Sequence, residues 1–143
     1  MQDKEQLAWA ASDDLAIRFL RVAGVWLVVG VVLGTYMGIS HDYTDKQIHV
    51  HGNLLGWVSC GVFAACYRMW PKLSAARLGV IHFWLHNAGV VLLVTGLALL
   101  ARGNSLAGAL LGSGSVALVV ASTVFLIAVW RLPSAAVSRK ASQ

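Results

Sequence analysis

The sequence is poor in charge. Asp, Glu, Lys and Arg make up only 12% of its 143 residues, about half the fraction of an average soluble domain. It has two prolines and two cysteines. Pro71 and Pro133 fall just beyond apolar blocks, where proline punctuates helices without breaking them. Cys60 and Cys66 lie in one block, and at their spacing a helix points them in different directions, which excludes a bond between them. They read as small packing residues. There is no Cys-x-x-Cys-His attachment motif, no nucleotide-binding glycine loop and no separate soluble domain. Nothing supports hydrolase or nucleic-acid chemistry.

What the chain does have is apolar length. Hydrophobic residues are 58% of it, and the mean hydropathy is +0.71. They form four blocks, Phe19–Ile39, Gln47–Tyr67, Leu78–Ala101 and Gly103–Trp130. Each reaches about 20 residues, enough to cross roughly 30 Å of hydrocarbon as a helix. In lipid every backbone polar group must be paired within the segment, so helix is the expected state. The expected fold is an all-α membrane protein, a single domain over 1–143 with spans at about 17–39, 47–70, 78–101 and 105–131. The first block follows a mixed-charge stretch and exceeds a leader's apolar core, so a cleaved signal peptide is not expected. Gln2–Ala16 reads as a short surface helix, with Trp9 and Leu15 touching the interface.

Basic residues set the orientation. Arg18 and Arg21 precede the first span, Arg68, Lys72 and Arg77 lie between the second and third, and Arg131, Arg139 and Lys140 follow the fourth. The other two loops carry Asp42, Asp45 and Lys46, and Arg102. Both termini are therefore expected in the cytoplasm, in the inner membrane of a bacterium. The net charge of +5 follows from this bias and calls for no nucleic acid. Trp70 and Trp130 end spans as belt residues do, while Trp26 and Trp84 read as ordinary span residues.

Histidines carry the chemistry. His41, His49, His51, His82 and His86 cluster in the middle of the chain, and coordinating residues within spans are costly and usually functional. His49 and His51 form H-x-H, about 200° apart on a helix. Such rings leave on nearly opposite flanks. They suit two separate heme irons better than one zinc, which wants three or four clustered ligands. Gly52 and Gly56 clear one face beside them, either for a flat cofactor or for a packed helix. Gly30, Gly34 and Gly38 repeat the spacing in the first span. His82 and His86 share a helical face. They could hold a second metal or a quinone head, with interhelical hydrogen bonding to Asn87 or Thr95 the plainer reading.

His41-Asp42-Tyr43-Thr44-Asp45, His49-Val50-His51 and Leu55-Gly56-Trp57-Val58 together resemble the tenth helix of the heme-copper oxidase catalytic subunit. The nearest likeness is to cbb3-type oxidases and nitric oxide reductases. Tyr67-Arg68-Met69-Trp70-Pro71-Lys72-Leu73 resembles the exit from that helix, and His82-Phe83-Trp84-Leu85 the start of the eleventh. The likeness covers roughly residues 40–96.

The resemblance implies that His49 ligates a high-spin heme and His51 a low-spin heme, with Trp57 flanking. It implies a propionate-side role for His41 and Asp42, where some members hold a divalent metal; a solvated loop is the plain alternative. The family's copper-ligating histidines have no separate counterparts here, so oxygen or nitric oxide reduction at a heme–copper centre is not inherited, and copper is possible without separate ligands to support it. The family's twelve helices look like three four-helix units, and this chain looks like one. The expectation is a homo-oligomer, a trimer before a dimer, holding bis-histidine heme b between subunits. Its function would be electron transfer with a membrane partner. A protein that binds or detoxifies nitric oxide or oxygen, and a heme-handling or assembly factor, are the alternatives. Any enzyme activity would be that of an oxidoreductase.

Overall fold

A computed structural model describes residues 2–73 and 77–132, with the side chains of residues 2–5, 7–9, 11 and 12 outside that description. The expectations for Trp9, Pro133, Arg139 and Lys140 fall outside it too. Among the described residues the protein is all-helical. Helix α1 is Gln2–Ser40. Helix α2 runs over residues 46–69, α-helical at Lys46–His51, π-helical at Gly52–Val58 and α-helical again at Ser59–Met69. A 3-10 turn, Pro71–Leu73, follows. Helices α3, Leu78–Ala101, and α4, Ala107–Trp130, form a hairpin.

The first element departs from the sequence reading. Gln2–Ala16 is not a separate surface helix but the first turns of α1. No proline, glycine or cap interrupts it, and Asp14 pairs with Arg18 one turn on at 2.6 Å. Leu15, expected at the interface, is buried with Ala16 and Phe19 in the core.

Among the described residues three helices are long and apolar enough to cross a membrane: Asp13–Ser40, Leu78–Ala101 and Ala107–Trp130. Their outward residues include Val25, Val32, Val91, Val116 and Val119, all exposed. Apolar side chains facing out along long helices are the surface of an integral membrane protein.

Helices α3 and α4 pack closely because small residues line their seam. A Cβ on Gly114 would meet the Leu93 backbone nitrogen at 2.6 Å, and one on Gly96 would meet that of Leu111 at 2.9 Å. Two ion pairs tie the ends of the bundle. At one end Arg68 reaches Asp13 at 2.6 Å. At the other Arg102 meets Asp45 at 3.2 and 3.3 Å while also donating to the Ala98 carbonyl. Gly103, with φ +68°, ends α3 in the left-handed conformation that the Asn104–Leu99 and Gly103–Leu100 backbone bonds require.

Candidate functional site

The H-x-H pair opens α2. His49 Nδ1 lies 3.0 Å from the Gly30 carbonyl oxygen of α1. A carbonyl only accepts, so the ring donates through Nδ1 and keeps its lone pair on Nε2. Asn53 Nδ2 is also near, at 3.4 Å from Nδ1, but it donates to the His49 carbonyl at 2.8 Å. The shorter carbonyl contact decides the tautomer. His51 Nδ1 lies 2.9 Å from the Gln47 carbonyl, one turn back on its own helix. It too donates through Nδ1 and keeps Nε2 as an acceptor. Both rings are half-buried. They are held as ligating histidines are held, the far N–H on a carbonyl and the near nitrogen bare.

The glycines of α1 make room for this. A Cβ on Gly34 would sit 2.8 Å from His49 Cε1, and one on Gly30 would run into the Asn53 amide. Gly38, expected to share their role, has open space before it. On the opposite strip, Gly52 and Gly56 receive the Trp26 indole. A Cβ on Gly56 would fall inside that ring. Within the chain these two glycines therefore admit α1, and Trp26 is more than a span filler. Trp57 is partly buried against the core cluster.

His41 sits in the turn after α1 with φ +54°, a left-handed conformation uncommon for a residue with a Cβ. It is exposed. Asp42 Oδ1 accepts from the Thr44 amide at 2.9 Å and its hydroxyl at 2.6 Å. Those two bonds, the hydroxyl first, hold the Asp42 carboxyl below its ordinary value, with Arg102 adding to the effect. Asp42 is thus occupied in shaping its own turn.

His82 and His86 lie apart from the H-x-H pair, in an aromatic core. Phe63 meets both imidazoles edge-on, with ring centroids 4.5 and 5.0 Å away. Phe19 and Phe125 stand 5.3 and 5.2 Å from His82. The partners are not the expected Asn87 or Thr95. His82 Nδ1 is 3.0 Å from the Tyr67 hydroxyl, and His86 Nε2 is 3.0 Å from the Leu55 carbonyl. Asn87 instead donates to the Phe83 carbonyl behind it at 2.7 Å.

Leu55 belongs to the π segment, where the Ser59 N–H reaches back five residues to Leu54. Such a widened turn frees carbonyls to meet other groups. The cysteines are both free, as expected, with Cys60 buried.

Among the described residues no three His, Cys, Asp or Glu side chains come together as a polydentate metal site would need. An axial heme ligand needs only one imidazole.

Comparison with known proteins gives a partial likeness. Part of the chain is 35% identical over 75 residues to the heme-copper oxidase subunit I+III of Aeropyrum pernix, covering 46% of this chain. The matched stretch is 9% of that relative's length. No protein-family model matches, and no solved structure does. The likeness is thus to part of an oxidase subunit, and the chain spans a small part of the relative it resembles.

Proposed function

We propose that this protein is a membrane b-type cytochrome, with His49 and His51 as axial ligands to heme iron and electron transfer as its role. The observation that carries this reading is the pair of Nδ1 tethers. Gly30 and Gln47 carbonyls hold the two rings so that each offers Nε2. Neutral imidazole with its far N–H anchored is the form that binds iron.

The rings leave α2 on different flanks, His49 onto α1 and His51 along its own helix. One heme cannot take both from one chain. Two subunits can supply them, His49 from one and His51 from the next, across a closing head-to-tail interface. Three copies of a four-helix unit, embedded in the lipid of a bacterial inner membrane, form the assembly we favour. Residues 46–69 are a further span, second in chain order, and both termini lie in the cytoplasm. The ion pairs support that topology. Asp45 and Arg102 join the two loops expected outside, and Asp13 and Arg68 join segments expected inside.

A bis-histidine iron has no open coordination position, so it passes electrons and does not bind gases readily. The test is to purify the protein in mild detergent and record oxidised, reduced and carbon monoxide spectra with the heme-to-protein ratio. A six-coordinate heme near one per chain, unchanged by carbon monoxide, supports the proposal. A carbon monoxide adduct transfers the reading to nitric oxide or oxygen chemistry. Weak, exchangeable heme points to a heme-handling factor, and no heme overturns the reading.

A further inference from the structure

We propose that His82 Nε2 and His86 Nδ1 form a two-imidazole site for one soft monovalent metal ion of the copper(I) class, separate from the H-x-H pair. These two nitrogens are buried and have no hydrogen-bond partner among the described residues. The residues that carry them are 0% and 3% exposed. An unpaired buried polar atom is unfavourable, because it has given up water without gaining a partner. Two of them one turn apart in the same core are therefore a site that wants a ligand.

The other nitrogen of each ring is tethered. His86 Nε2 donates to the Leu55 carbonyl, which fixes the lone pair on Nδ1. His82 Nδ1 meets the Tyr67 hydroxyl, which accepts its proton in the ligating tautomer and leaves the lone pair on Nε2. Tyr67 and Leu55 stand about three turns apart on α2. They tether the two rings at different levels of α2. The ring centroids stand 5.8 Å apart, a separation that one ion between the two imidazoles can bridge. A tethered outer N–H and a bare inner nitrogen, at i and i+4 on one helix, is the arrangement of metal-binding histidines.

The surroundings select the ion. The last acidic residue in the sequence is Asp45, so α3 and α4 supply no carboxylate. Phe19, Phe63 and Phe125 wall the pair. A divalent ion would be left with two uncompensated charges in an apolar core, which is costly. A monovalent d10 ion halves that charge and is content with two neutral imidazoles. No proton need leave on binding, because both N–H groups stay on their tethers.

The measurement is anaerobic titration of the detergent-purified chain with copper(I) against a competing chelator, repeated with silver(I) as a redox-silent probe. The expected result is a tightly held ion that His82→Ala weakens at least tenfold, leaving one ion fewer per chain. His86→Gln is the companion variant, because its amide can still donate to the Leu55 carbonyl and keep the fold while removing the Nδ1 ligand. It should lose the same ion. Binding that neither substitution changes, or no binding above background, overturns the proposal.

Discussion

His49 Nδ1 lies 3.0 Å from the carbonyl oxygen of Gly30, so the first histidine of the H-x-H pair is oriented by the backbone of a different helix. The contact exists because α1 carries glycine where α2 comes near. Sequence, close packing and ring orientation are one chain of cause.

Gly34→Ala tests that chain. Its new methyl would sit 2.8 Å from His49 Cε1, closer than a Cβ tolerates, and rearrangement of this kind costs about 1–3 kcal/mol. The expected outcome is heme affinity lowered at least tenfold. Gly38→Ala meets open space and should bind heme as the unaltered protein does. Equal binding by both variants would remove α1 from the account.

The α3–α4 seam gives a stability prediction free of any cofactor. Gly114→Ala would drive a methyl against the Leu93 backbone, which cannot rotate away as a side chain can. It should lower the midpoint of detergent-phase unfolding, at a cost of about 1–3 kcal/mol. Gly112→Ala has nothing within 4 Å and should unfold with the unaltered protein.

Topology is checked by labelling. In a Cys60→Ala, Cys66→Ala background, Thr44→Cys and Ser105→Cys should react with an impermeant maleimide from the same side of sealed vesicles. Lys72→Cys should react from the other. Labelling of all three from one side would contradict a four-span chain.

Asp42 supplies a pH prediction. Thr44 favours its charged form, so the carboxyl titrates below its ordinary value of 3.8. Folding therefore gains from the charged carboxylate above that value, and the gain drains away as pH falls through the lowered one. Carboxyl NMR should find the Asp42 midpoint depressed, and Thr44→Val should move it up. A midpoint indifferent to Thr44→Val would mean that the turn is not held by these bonds.

Much of this was legible in the sequence. Apolar length gives the helices of residues 13–40, 78–101 and 107–130, while the pairing of Asp45 with Arg102 emerges only in the fold. The divergence of His49 and His51 follows from helical geometry alone. Other features depend on what faces what. Periodicity does not reveal that Trp26 fills the Gly52–Gly56 groove, although glycines one turn apart announce that something large comes close. The π turn at Gly52–Val58 leaves no compositional mark beyond its two glycines, so the Leu55 carbonyl could not be foreseen as the partner of His86. Asn53 is hidden in the sequence because an amide one turn from His49 looks like any polar span residue, and its role emerges only where Gly30 clears space for it. The helical run from Gln2 is hidden because a charged segment next to an apolar one reads as a boundary.

The most direct test of axial ligation by His49 and His51 is low-temperature electron paramagnetic resonance of the oxidised, purified protein, alone and as His49→Ala and His51→Ala. The account predicts a purely low-spin ferric signal that turns high-spin, or disappears with the heme, in either variant. A high-spin signal in the unaltered protein, or a low-spin signal that survives both substitutions, would contradict it.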